Sequence, residues 1–146
     1  MSRKVVLMAA EKDLQVLLAG MQAEQRPGEF VYCTGAEAGS GQPNRAEATI
    51  RETEGLTAVL RREDADAQGL GYDFVAAWIT LRVHSALAAV GLTAAVSNAL
   101  ADAGISCNVL AGFYHDHLLV PVARAQDALA VLRAVQRSAT IDAAPQ

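Results

Sequence analysis

The chain has 146 residues, with 12 Lys and Arg against 16 Asp and Glu, for a formal net charge of −4. Hydrophobic residues make up 52% and charged residues 19%, with 30 alanines, a balance that excludes intrinsic disorder; four Pro and 11 Gly exclude a collagen-like or Pro-rich fibre. A pI near 5.3 without a basic run argues against a nucleic-acid footprint, and the length allows one ordinary domain or two small units sharing a core.

At the start, Arg3 and Lys4 precede six apolar residues, Val5 to Ala10, but Glu11, Lys12 and Asp13 interrupt before an export signal is complete. A cytoplasmic protein is expected. The spacing of Leu14, Leu17, Leu18 and Met21 predicts an amphipathic helix from Lys12 to about Ala23, closed by the turn Pro27-Gly28. Phe30 to Thr34 is β-branched and aromatic and reads as a strand. Gly35 to Asn44 is a loop whose glycines lack the Lys-Ser/Thr of a phosphate loop. Ala48–Arg51 and Leu56–Leu60 read as one strand bent or broken at Glu54-Gly55, and Arg61 to Gln68 as a short helix.

Tyr72 to Val83 is the most informative segment. Val75, Ala77, Ile79, Leu81 and Val83 make one apolar face, while Tyr72, Phe74, Ala76 and Trp78 make the other apolar until Thr80 and Arg82. A strand apolar on both faces is central and covered on both sides, which points to tandem units or a dimer. From Val83 to Ala101 no Asp, Glu, Lys or Arg occurs, yet His84, Ser85, Gly91, Thr93, Ser97 and Asn98 make this a loop and a buried helix rather than a membrane span. Leu92, Val96, Leu100 and Ala103 keep helical spacing, and Gly104 closes the helix. Ile105–Ala111 and His117–Val122 are strands around the turn Gly112–Asp116. Ala125, Ala128, Leu129, Leu132 and Val135 define a last helix, and Ser138 to Gln146 reads as a loose tail or short edge strand. The second half is therefore β-α-β-β-α, a split-βαβ order.

That order makes the first and third of these strands neighbours, so His84 should lie near His115 and His117, the last two sharing one sheet face. The same edge holds the loop after His84 and the start of the following helix, whose free N–H groups favour a carboxylate or phosphate. The His115-Asp116-His117 run admits a metal site or acid–base chemistry. Its plainer reading is that it satisfies turn backbone and lines a ligand or subunit contact. Ser85 has no nucleophile elbow around it. Cys33 and Cys107 are isolated, without a CxxC motif, and Cys107 sits in an apolar strand as an inert thiol. Trp78 and Phe113 read as packing residues. No catalytic residue, metal ligand or cofactor is assigned.

The blocks Trp78-Ile79-Thr80-Leu81, His84-Ser85, Val90-Gly91-Leu92-Thr93, Ala99 to Ser106 and Gly112 to Leu118 together resemble the ACT domain. They are similar to a family of small bacterial tandem ACT proteins akin to the regulatory end of aspartokinases. Tyr32-Cys33 and Arg51-Glu52 through Thr57 resemble that family's first unit. The resemblance implies an α+β fold of two ferredoxin-like βαββαβ units packed side by side, residues 1–69 and 70–137, with 138–146 as a tail. It also implies a non-catalytic regulatory protein, a homodimer that binds a small molecule such as an amino acid. The ligand residues would be His84, Ser85, Val90, Gly91, Leu92 and Thr93, with Asn108, His115, Asp116 and His117 completing the site. The family often places an Asp before the helix, where this chain has His84-Ser85. Two other readings stand beside it: a metal-binding protein or metal-dependent enzyme on His84, His115 and His117, and an interaction module docking through a sheet face that includes Trp78.

Overall fold

The computed structural model describes residues 13–34, 45–83 and 90–143. Its elements are a helix α1 over residues 13–19, strands β1 (Gln22–Gln25), β2 (Phe30–Thr34), β3 (Ala46–Glu52) and β4 (Gly55–Arg61), then helix α2 (Arg62–Ala67) and strand β5 (Val75–Arg82). Helix α3 (Leu92–Asp102), strands β6 (Asn108–Ala111) and β7 (Asp116–Pro121), a 3₁₀ turn and helix α4 (Ala125–Ala143) follow. These divide into two compact units: Arg26–Trp78, and Met1–Gln25 together with Ile79–Gln146. β5 contributes Val75–Trp78 to the one and Ile79–Arg82 to the other.

In the Arg26–Trp78 unit the strand order is β3-β4-β2-β5. β2 pairs antiparallel with β4, Phe30 opposite Arg61 and Thr34 opposite Thr57. β3 and β4 form a hairpin whose turn is Thr53-Glu54, since Glu52 pairs with Gly55. Of the two expectations, a strand bent or broken at Glu54-Gly55, the structure has the break: two strands, with the chain reversing through Thr53-Glu54. α2 seats Ala65 on a core of Val31, Cys33, Ala58 and Leu60. Phe30 is fully buried, its ring centre 5.2 Å from that of Trp78.

Trp78 itself is 4% exposed, with the Arg26 guanidinium 4.6 Å from its ring centre. This corrects the reading of Trp78 as part of an exposed docking face. Within this unit its faces are already taken, by an aromatic ring and by a cation that also bonds Glu47 at 2.8 Å.

In the other unit β5, β7 and β6 lie in that order, and β1 pairs antiparallel with β5, Gln22 opposite Arg82 and Gln25 opposite Ile79. The expected adjacency of the first and third strands is therefore present. The predicted first helix is shorter than expected: Gly20 donates to the Val16 carbonyl at 3.1 Å and ends it, Met21 is buried, and residues 22–25 are strand. Gln-Ala-Glu-Gln has no β signature of its own; pairing with β5 supplies its hydrogen bonds. α4 packs on α3, β1 and β7, burying Ala125, Ala128, Leu129, Leu132 and Ala139. It runs to Ala143, so residues 138–143 are helix and not a loose tail. The reason is that Ala139 continues the buried stripe begun at Ala125.

α3 ends as its sequence requires. Gly104, at φ +70°, donates to the Ala101 carbonyl at 2.9 Å, and Ile105 donates to the Leu100 carbonyl at 2.9 Å. That is a Schellman closure, sealed by buried Leu100 and Ile105. Gly104→Ala places a Cβ in the left-handed region, so unfolding in urea should show a loss of about 1–2 kcal/mol. Because nothing stands within 4 Å of the added Cβ, the loss measures backbone conformation rather than crowding. Among the described residues no helix is long and apolar enough to cross a membrane.

Candidate functional site

The expected site is built around the start of α3. Gly91, the residue before the helix, has φ +100° and accepts the first helical hydrogen bond from Ala95 at 2.9 Å. Gly91 offers no side-chain cap, and the first turn holds no acidic residue. The leading N–H groups and the positive end of the helix dipole are therefore uncompensated by the helix's own side chains. Val90, just before it, is 85% exposed. Gly91 also makes room: a Cβ there would lie 3.1 Å from the Leu14 side chain of α1.

Beneath this helix start, Leu92, Thr93 and Val96 close over Leu81, Val109, Asp116 and Leu118, leaving an interstice too tight to admit a water molecule. The strand register explains why Asp116 belongs here. Val109 pairs with Leu118, and Asp116 is two residues before Leu118, so all three share the face that carries α3. The alternate residues face the other way. His117 lies opposite Leu110 and Asn108 opposite Leu119, on the far side of the sheet from Thr93 and Asp116. Of the expected site residues, then, Leu92, Thr93 and Asp116 come together, with Val90 and Gly91 leading into them by sequence, while Asn108 and His117 occupy the opposite face. His84 and Ser85 lie outside the described residues.

The two described histidines are held differently. His117 Nδ1 is 3.1 Å from the Thr80 hydroxyl of β5. Its Nε2 would stand 3.1 Å from any Cβ at Gly112. His115 falls before β7, in the β6–β7 turn, so strand alternation does not put it on a face with His117. Its carbonyl accepts from the Gly112 N–H at 2.9 Å, while its Nδ1 is buried and has no hydrogen-bond partner among the described residues. Phe113 and Tyr114 at the turn's tip are each 78% exposed and stack edge-on, 5.0 Å between ring centres, so Phe113 is not a packing residue of the core. Among the described residues no three of His, Cys, Asp and Glu gather as a metal ion would require. Burial raises the thiol pKa of both Cys33 and Cys107, keeping both thiols protonated and poorly nucleophilic.

Sequence reasoning missed Thr80 and Gly112. Thr80 is the buried polar side chain of β5, and its signal was present: one hydroxyl in an apolar run, flanked by Ile79 and Leu81. Gly112 gave no signal beyond marking a turn.

The wider comparisons bear on this arrangement. ACT-domain profiles match residues 9–77 and 74–134. A Vibrio cholerae protein of unknown function, described as a possible transport protein, is 45% identical over 87% of this chain and 98% of its own, with a TM-score of 0.78. An Agrobacterium tumefaciens protein shares the fold at 20% identity, covering 80% of this chain and 89% of its own, with a TM-score of 0.60. The ligand-free regulatory subunit of aspartate kinase from Thermus thermophilus shares it at 10% identity, covering 77% of this chain and 95% of its own, with a TM-score of 0.57. No curated protein matches the chain. With one profile on each half and the same α+β, ferredoxin-like architecture in these structures, the chain belongs to the ACT-domain family and carries two ACT domains in tandem.

Proposed function

We propose that this is a non-catalytic regulatory protein, cytoplasmic and homodimeric, that binds an amino acid at the start of α3. ACT membership and the likeness to an aspartate kinase regulatory subunit support a regulatory, ligand-binding role. The observation that carries the amino-acid reading is the start of α3, whose capping position is a glycine, with Asp116 and Thr93 bordering the same narrow interstice, so that a ligand would sit at its outer edge. The ligand carboxylate would take the free N–H groups of the first turn, and its ammonium group would take the Asp116 carboxylate. Two opposite charges at one small site match a zwitterion. Thr93, which is exposed, and the backbone at Val90 and Gly91 would complete the contacts, together with His84 and Ser85 earlier in the sequence. Binding regulates only through different affinities for two states, so the ligand must change an equilibrium of this chain or its partner.

Calorimetric titration of the 20 common amino acids into the purified chain tests this. At least one should give saturable heat, and Asp116→Asn should weaken its affinity by about tenfold or more, the worth of a charge-assisted hydrogen bond. No heat from any amino acid with folded protein overturns the ligand assignment. Sedimentation at several concentrations checks the homodimer.

A further inference from the structure

The Arg26–Trp78 unit contains a cleft of about 410 Å³ lined by Tyr32, Cys33, Thr34, Thr57, Gly71, Tyr72 and Asp73. That volume lies in the usual range for small-molecule sites, roughly 300–1,000 Å³. Its walls are fixed. The Tyr32 ring packs on Phe74 with 6.4 Å between ring centres. The Tyr72 hydroxyl donates to Asp66 at 2.7 Å and accepts from Arg62 Nε at 3.0 Å, which locks the ring in place. Thr34 and Thr57 stand opposite each other on β2 and β4.

The chemistry of this lining has one sign. Asp73 is negative, Cys33 is kept a neutral thiol by burial, and the described lining includes no Lys or Arg. The nearest cation bound to a wall residue, Arg62, is matched by Glu29 at 2.8 Å. Thr57 spends its hydroxyl proton on Glu52, so toward the cleft its oxygen can only accept. Tyrosine faces are electron-rich and attract cations. The Tyr72 ring already has the Arg62 guanidinium 5.7 Å from its centre, and the hydroxyls of Tyr32 and Thr34 can donate or accept, so the bias toward a positively charged donor comes from the Asp73 carboxylate, the Thr57 oxygen and the Tyr32 ring. The neighbouring cleft of about 260 Å³, lined by Gly28, Glu29, Arg61, Arg62, Glu63 and Asp66, lacks this bias, because its guanidinium groups already bond Pro27, Glu29 and Glu47.

We propose that the cleft between Tyr32, Thr57, Tyr72 and Asp73 is a second binding site, for a small primary alkylammonium compound. The ammonium group sits against Asp73 and the Thr57 oxygen, and the alkyl chain lies along the tyrosine rings. This site is independent of the one at α3 and needs no ligand carboxylate.

The probe is n-butylammonium chloride, titrated into the full chain at constant ionic strength and followed by amide chemical shifts, with butyrate and 1-butanol as anionic and neutral controls of the same length. The expected result is a saturable response at Thr34, Thr57, Gly71 and Asp73, with a dissociation constant on the order of a millimolar. The controls should give no saturable response there. Asp73 is exposed, so Asp73→Asn leaves the amide dispersion intact; it should weaken binding by about tenfold. Thr57→Val should weaken it by about threefold. The proposal is overturned by an equal response to butyrate or butanol, by shifts centred on Leu92, Thr93 and Asp116 instead, by indifference to Asp73→Asn, or by no saturable response from folded protein. None of these outcomes depends on whether an amino acid binds at α3.

Discussion

Phe30→Ala is expected to lower the free energy of unfolding by about 3–5 kcal/mol, the range for removing a buried aromatic ring. Phe30 is fully buried on β2. Its ring lies 5.2 Å from Trp78, tilted by 59°, with the guanidinium groups of Arg26 and Arg61 at 5.1 and 5.3 Å. Both cations are held there by Glu47, at 2.8 and 3.5 Å. Alanine therefore removes the transfer energy of the ring, opens a cavity beside Trp78, takes from Arg61 its aromatic partner and leaves Arg26 with Trp78 alone. Relaxation is restricted because Phe30 pairs with Arg61 on one side and Ala76 on the other, so the backbone cannot move in to fill the gap. Urea denaturation followed by Trp78 fluorescence reads the loss. Phe30→Leu, which keeps most of the volume, should lose far less, about 1–1.5 kcal/mol. A loss below about 1 kcal/mol for the alanine variant would mean the ring is not packed as described.

The second large effect is expected at Gly112. A Cβ on this residue would lie 2.7 Å from the His115 carbonyl oxygen and 3.1 Å from His117 Nε2. The first distance is to backbone and closer than real Cβ atoms come, so the turn must open. Opening it strains the Gly112 N–H to His115 carbonyl bond of 2.9 Å. Overpacking of this kind costs about 1–3 kcal/mol, and loss of the hydrogen bond adds about 1 kcal/mol. Gly112→Ala should thus lose about 2–4 kcal/mol and move the His117 ring signals, because that ring is fixed between Thr80 and Gly112. Stability close to that of the unaltered protein with unmoved His117 signals would show that the turn has room the geometry denies. Since Asp116 begins β7 directly beyond this turn, the same variant should weaken any amino acid bound at α3.

The candidate site was legible in part. The split-βαβ pattern puts the helix start and the His115–His117 run at one sheet edge, and the ACT resemblance singles out Leu92 and Thr93 there; the structure has Leu92, Thr93 and Asp116 together. That Asn108 and His117 turn to the other face depends on register. A shift of one residue reverses every side chain on a strand, and nothing within β6 or β7 names its partner residue. His115 misled because its place relative to the first paired residue, Asp116, decides whether alternation applies to it.

The sequence by itself determined the elements whose own residues carry a periodic or capping signal. β2 appears at Phe30–Thr34 as expected, β5 is buried on both faces from Ala76 to Leu81, and α3 closes at Gly104. Those outcomes rest on local chemistry: β-branching, two-sided apolarity and the left-handed freedom of glycine. Only the tertiary structure decided that Gln22–Gln25 is strand, that Glu52 and Gly55 close a hairpin, and that the last helix reaches Ala143. Polar β1 takes its conformation from hydrogen bonds to β5, and α4 persists because Ala139 has a surface to bury against. Both depend on partners distant in sequence, Arg82 for Gln22 and Ala19 for Gln136, and no local pattern encodes a partner that far away.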